Sequence, residues 1–163
     1  RVEEGARGGV PVLSLVGGKW TTFRALGEQL GGRVLALLDR TRSVSTDGRL
    51  IGGAVGYPTS PEERTAWLAT HGATVGADRA AELLERYGTS AEAIMRRIES
   101  GPDAPLAAAP DYSRAEIVHL AETEQVVRLV DVLLRRTSLA FRGLVTEALL
   151  DELAEVLGEA LGW

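Results

Sequence analysis

The chain has 163 residues, with 23 acidic against 18 basic side chains and a formal net charge of −5, a length that suits one domain, or one small domain with a piece of another. It contains no cysteine, which excludes disulfides, thiolate catalysis and cysteine metal sites and is compatible with a reducing compartment. No lysine- or arginine-rich block and no apolar run of the ~18–20 residues that span a membrane is present, which argues against a nucleic-acid surface and a transmembrane helix.

Arg1 to Gly9 is charged and glycine-rich and reads as a loop cut open, as expected of the C-terminal portion of something longer. Val10 to Val16 is a short apolar run with Pro11 near its start, and reads as a buried strand. Gly17-Gly18-Lys19-Trp20-Thr21-Thr22-Phe23-Arg24 follows directly, and Lys19 is the only lysine of the chain. Phe23, Leu26, Leu30, Val34, Leu37 and Leu38 recur at helical spacing, with Thr21 or Thr22 available as the cap. A strand thus feeds a double-glycine turn that opens a helix. Bare backbone, unpaired N–H groups and one lysine converge on a point suited to an anionic or electron-rich ligand. Gly27, Gly31 and Gly32 each weaken that helix by about 1 kcal/mol against alanine, so close packing is expected to compensate.

Arg40 to Gly48 is a polar linker ending in an Asp-Gly turn signal, and Leu50 to Pro58 is irregular. Helical punctuation then dominates. Ser60-Pro61-Glu62-Glu63 is a cap, an N1 proline and a capping-box acid; Trp67 and Leu68 face the core and Gly72 stops the helix. Asp78 begins a second helix with Leu83, Leu84 and Tyr87 on its apolar face, stopped by Gly88. Thr89-Ser90-Ala91-Glu92 opens a third, carrying Ile94, Met95 and Ile98 as far as Gly101. After the proline- and alanine-rich connector 102–110, Ser113-Arg114-Ala115-Glu116 forms another capping box before Ile117, Leu120 and Ala121. Residues 126–136 continue helically, and a last helix over roughly 145–161 repeats Leu149, Leu153, Val156 and Leu157. The fold class is mainly α: a helical bundle over 60–163, a linker over 41–59, and a strand–turn–helix element over 1–40.

The commonest phosphate motifs do not fit. A P-loop would place its first glycine at Leu13 and its metal-binding hydroxyl at Trp20, and no G-x-G-x-x-G spacing exists. Arg135-Arg136 reads as cations near a helix C-terminus, and Glu116 as a capping acid. Glu124 and Asp131 read as partners of neighbouring arginines. His71 and His119 lie far apart, without metal-ligand spacing. The tryptophans, Trp20, Trp67 and Trp163, read as packing residues.

Taken in order, these stretches resemble the FAD-dependent glycerol-3-phosphate dehydrogenases. Gly-Gly-Lys-Trp-Thr-Thr-Phe-Arg after an apolar strand is similar to the family's last flavin-contacting segment. Leu50-Ile51-Gly52-Gly53 is similar to its Leu-Pro-Gly-Gly, and Arg86-Tyr87-Gly88-Thr89 to its Tyr-Gly-Ser/Thr helix junction. Ala115-Glu116-Ile117, Glu124 and Asp131-Val132-Leu133-Leu134-Arg135-Arg136-Thr137 resemble its C-terminal helical domain. The resemblance implies that residues 1–40 end an FAD-binding α/β domain, with Gly17, Gly18 and Thr21 near the flavin's pyrimidine edge and Lys19 at the flavin–substrate boundary. It implies oxidation of sn-glycerol 3-phosphate to dihydroxyacetone phosphate, with electrons leaving through FAD to a quinone or another acceptor. It implies a cytoplasmic protein without a transmembrane segment, and allows peripheral attachment to the inner face of the plasma membrane and a homodimer. Arg24 matches the motif as a structural residue. The dinucleotide turn, general base and phosphate-binding arginine of the family have no counterpart here, so the chain alone is expected to be inactive. A non-catalytic helical interaction or regulatory module is the alternative. The strand, without its parental neighbours, would leave an unpaired edge, giving a mobile or self-associating segment.

Overall fold

The computed structural model describes residues 1–17 and 19–163. Mainly helical, as expected, it divides into two compact units, Arg1–Leu50 and Ile51–Trp163.

In the first unit the opening residues are a strand rather than a loop. β1 (Val2–Arg7) pairs antiparallel with β2 (Val10–Leu15), Val2 facing Leu15 and Arg7 facing Val10. Gly8 and Gly9 both have positive φ, +59° and +81°, as a two-residue type I′ hairpin turn requires. That Gly-Gly pair is the signal by which the hairpin can be found in the sequence, and it gives one edge of β2 its partner. α1 (Phe23–Leu37) follows a single 3₁₀ turn over Trp20–Thr22. Thr22 is the N-cap residue, but no side chain caps the helix; the Thr22 hydroxyl instead donates to Lys19 O at 3.1 Å. Among the described residues of this unit none is buried.

The second unit contains the core. α2 (Pro61–Val75), α3 (Ala77–Tyr87) and α4 (Ala91–Ser100) precede α5 (Arg114–Thr123), and α7 (Glu147–Leu161) closes the chain. Between the last two, α6 (Leu129–Asp131) runs on as a π-helical turn, Val132–Arg136. Leu149, Leu153, Val156 and Leu157 of α7 are buried against Ile117, Leu120 and Ala121 of α5, with Leu106, Tyr112, Val132 and Leu139. Ala80, Leu83, Ala91, Ile94 and Met95 form a second cluster, against which Trp67, Leu68 and Ile98 pack half-buried. The connector 102–110 is itself ordered. Leu106 and Ala109 are buried, Leu106 N donates to Tyr112 O at 2.9 Å, and the Glu152 carboxylate accepts from Ala107 N at 2.9 Å.

The capping box at α2 forms reciprocally: Glu63 N donates to Ser60 Oγ at 3.2 Å, and Ser60 N to Glu63 Oε2 at 3.2 Å. The helix passes through Gly72 and ends at Gly76, whose φ is +87°. Gly72 serves contact instead: a Cβ there would lie 3.1 Å from Ala77 Cα, so glycine admits the start of α3. At α5 the box is only half made. Glu116 N donates to Ser113 Oγ at 3.4 Å, but the Glu116 carboxylate turns inward.

That carboxylate is fully buried and carries a cage of donors. Arg79 Nη2 pairs with Oε2, while Arg86 Nη1 and Tyr87 OH both donate to Oε1 at 2.7 Å. Arg86 also donates to Asp111 O at 2.9 Å, and its guanidinium lies 3.9 Å above the centre of the Tyr112 ring, within cation–π range. Arg142 pairs with Asp111 from the far side. Burial by itself would lower the Arg86 pKa, but the charge of Glu116 and its hydrogen bond outweigh that and hold it above the usual arginine value. Burial, then the Glu116 charge and hydrogen bond, push Tyr87 far above the ordinary phenol range, so it stays a neutral donor. The cage joins α3, α5, the loop before α5 and the turn at Arg142.

A buried charge left without its counter-charge is costly. Glu116→Gln is expected to destabilise the helical unit by about 3 kcal/mol, the low end for broken buried pairs because both arginines keep some solvent contact; equilibrium urea unfolding measures this. Acid should act on the caps. The Thr59 backbone and hydroxyl hydrogen bonds, then the Ser60 amide, lower the Glu63 pKa below the glutamate range. A depressed folded-state pKa contributes stability that is present above the unfolded value and lost as pH falls through the folded one. NMR titration of Glu63 should therefore find a midpoint below 4.5, with α2 amide protection declining over the same range.

Candidate functional site

Of the four residues expected at the ligand, Gly17, Lys19 and Thr21 are described and exposed, whereas Gly18 lies outside the described residues. Gly17 has φ +68°, and a Cβ added there would meet nothing within 4 Å apart from its chain neighbours, so no other part of the chain crowds the side a side chain would occupy. Lys19 is extended and precedes the 3₁₀ turn; its carbonyl accepts from Thr22 N at 3.0 Å. Trp20 is 94% exposed and does not pack within this unit, contrary to its reading as a packing residue. The start of α1 therefore lacks a side-chain cap, its Thr22 and Phe23 N–H groups bonding back to Lys19 O and Trp20 O, and it follows a stripped backbone and the only lysine. Such a helix start favours electron-rich or anionic groups.

The polar segment 40–48 has a definite task. Arg24 Nη1 donates to Thr46 O at 2.6 Å, the Thr46 hydroxyl to Glu28 Oε2 at 3.0 Å, and Arg42 reaches both the Glu28 carbonyl and, at 3.5 Å, its carboxylate. The Thr46 hydroxyl bond is the largest influence lowering the Glu28 pKa, burial opposing it. The expected close packing at Gly31 and Gly32 comes from a charged group: Cβ atoms there would meet Arg42 Nη2 at 3.2 and 3.7 Å. Residues 42–47 thus form a strap laid along α1. Arg24 is tied into it and does not face the Gly-Lys turn.

In the helical unit, two short motifs far apart in sequence prove to be one contact. A Cβ on Gly53 would lie 2.8 Å from Gly88 Cα and closer still to Tyr87 O; one on Gly88 would lie 2.7 Å from Gly53 C. Thr89 completes the joint, its hydroxyl donating to Val55 O at 2.7 Å and lying 3.1 Å from Gly53 O. That is its role here; it does not cap α4. The remaining charged motif is structural. Asp131 accepts from Val127 N and Arg128 N at 3.0 and 2.9 Å and pairs with Arg135 at 2.7 Å. Arg136 Nε donates to Glu124 O at 2.6 Å, satisfying a carbonyl at the end of α5. His71 stacks on Trp67, 4.2 Å between ring centres, and no grouping of metal-ligating side chains occurs among the described residues.

Because both clashes at the glycine joint involve backbone, no side-chain rotation relieves them. Gly53→Ala is expected to cost about 1–3 kcal/mol of stability, the range for overpacked sites. A thermal melt coinciding with that of the parent protein would contradict the contact.

Comparison with known proteins places this architecture. Over residues 43–163 the chain matches the family described as the C-terminal domain of alpha-glycerophosphate oxidase. Glycerol-3-phosphate dehydrogenase 2 of Mycobacterium tuberculosis is 29% identical over 93% of this chain and 26% of its own length. A glycerol-3-phosphate dehydrogenase of Synechocystis is 29% identical over 79% of the chain and 23% of its own length. A probable mitochondrial glycerol-3-phosphate dehydrogenase of Caenorhabditis elegans is 28% identical over 93% and 22%. The chain therefore spans about a quarter of the length of these relatives. No solved structure matches it. With most of its length matched, the chain belongs to the family of the C-terminal domain of alpha-glycerophosphate oxidase.

Proposed function

We infer that this chain is the C-terminal part of an FAD-dependent glycerol-3-phosphate dehydrogenase that oxidises sn-glycerol 3-phosphate to dihydroxyacetone phosphate and passes the electrons to a quinone or another acceptor. The observation that carries the reading is the meeting of this family membership with a single exposed lysine at an uncapped helix start. Residues 1–40 then belong to the end of the flavin domain, 41–59 link, and 60–163 form the helical domain.

The residues present fit one edge of a flavin and no more. Gly17 and Thr21 would set bare backbone and helix-start donors against the ring's electron-rich pyrimidine edge, together with Gly18 by its place in the motif. No G-x-G-x-x-G turn for the pyrophosphate exists in the sequence. FAD, when bound, supplies the acceptor for the hydride leaving the substrate. Lys19 would hold the anionic substrate at that boundary and favour negative charge developing there. The general base lies outside these residues. Electron delivery to a quinone requires access to a membrane, and no helix among the described residues is long and apolar enough to cross one. Peripheral contact at the inner face of the plasma membrane from the cytoplasmic side is the arrangement we favour, and it is compatible with a homodimer.

In the full-length enzyme Lys19→Ala should lower kcat/KM for sn-glycerol 3-phosphate about ten- to a hundredfold, the worth of about 1.5–3 kcal/mol for a charged hydrogen bond. Kinetics equal to the parent's would remove Lys19 from the site. The isolated 163-residue chain should show no flavin absorbance after reconstitution with FAD; stoichiometric binding would overturn the placement of the cofactor's main site outside it.

A further inference from the structure

The start of α1 poses a physical problem that its own residues leave open. Its first N–H groups have no side-chain cap, and it is entered through a 3₁₀ turn whose first residue, Trp20, is almost wholly exposed. Three glycines loosen the helix further along. A helix end of this kind frays unless something outside the helix holds it. The strap supplies the hold, and its first attachment is at Arg24, one turn beyond Thr21. The guanidinium is only partly exposed and donates to Thr46 O, which also accepts from Arg49 N at 3.2 Å in the Asp-Gly turn. The second attachment is Thr46 Oγ1 on Glu28, and the third is Arg42 on the Glu28 carbonyl.

We propose that Arg24 is a positioning residue for the Gly-Lys turn: by fastening the first turn of α1 to the strap at Thr46, it fixes where Lys19 stands. This rests on the reading of Lys19 given above. Arg24 touches neither substrate nor flavin and acts through the backbone. Thr22 N and its hydroxyl both hold Lys19 O, so displacement of the helix start moves the lysine with it. Guanidinium geometry suits the task, because the group reaches a carbonyl across the helix surface while its stem packs along it.

Two measurements on the full-length protein separate this proposal from the reading beneath it. Hydrogen exchange tests the fastening alone. Arg24→Ala should speed exchange of the Thr22 and Phe23 amides, which bond to Lys19 O and Trp20 O, about tenfold or more, leaving the helical unit's amides unchanged. Arg24→Lys should restore part of the protection. Thr46→Ala, which frees the strap from Glu28 without touching Arg24, should act in the same direction more weakly and serves if Arg24→Ala fails to fold. Unchanged exchange in both alanine variants overturns the proposal. Kinetics test the consequence. Arg24→Ala should raise KM for glycerol 3-phosphate about tenfold with a smaller change in kcat, and should add nothing once Lys19 is already alanine. Losses that multiply in the double variant would show that Arg24 acts independently of Lys19 and overturn the positioning role. A Lys19→Ala enzyme with parental kinetics would instead defeat the reading of the site, while exchange still decides whether Arg24 holds the turn.

Discussion

The helical unit is organised around one fully buried carboxylate. It belongs to Glu116, and Arg79, Arg86 and Tyr87 converge on it from α3. Desolvating a charge costs several kcal/mol, and opposite charge plus complete hydrogen bonding must offset it. The cage therefore fixes more than its own members. Arg86 must be straight enough to stack on Tyr112 and reach Asp111, which sets the loop before α5. Tyr112 in turn accepts from Ser138 N at 3.1 Å, so the segment leaving the π-helical turn is held to the same point. The apolar clusters supply the bulk of the burial; the charged cage sets the angle and register at which α3 and α5 meet.

The two units are held by different physics. The second has a buried core rich in leucine, isoleucine and valine, and its buried polar or charged residues are Ser113 at a cap and Glu116 in the cage. In the first, no described residue is buried, and its named contacts are a hairpin, a strap of side-chain hydrogen bonds and the Glu4–Arg33 ion pair. Exposed polar contacts of this kind contribute little each, and Val10, Val12, Leu15 and Phe23 are left uncovered.

What can be read from the residues depends on how local the cause is. The α2 start is legible because serine, proline and glutamate act within four residues of one another, and the α7 stripe because periodicity alone selects its buried face. Ser113 and Glu116 have the same spacing, yet Glu116 leaves its box for arginines 30 and 37 residues away, which no local pattern contains. Gly72 reads as a stop because a helical glycine has two uses, termination and close approach, and only the position of Ala77 distinguishes them. The opening hairpin turns on weighting: Gly8-Gly9 is a hairpin signal, but its charged flanks make the stretch look like a loop. At the candidate site, the Gly-Lys turn and the helix behind it are visible in outline. The strap is not, since arginine and threonine in a polar linker look alike whether or not they grip a helix.

The joint at Gly53 and Gly88 sets a rule for how this part of the chain can vary. In an ordinary core, a larger residue at one position can be accommodated by a smaller one opposite, so pairs of positions drift together. Here each glycine faces the other's main chain, which no substitution can shrink. The two sites cannot compensate each other, and each is closed to change on its own account. Sequences that keep this crossing must hold both glycines independently, and a sequence that loses either has to reroute the linker.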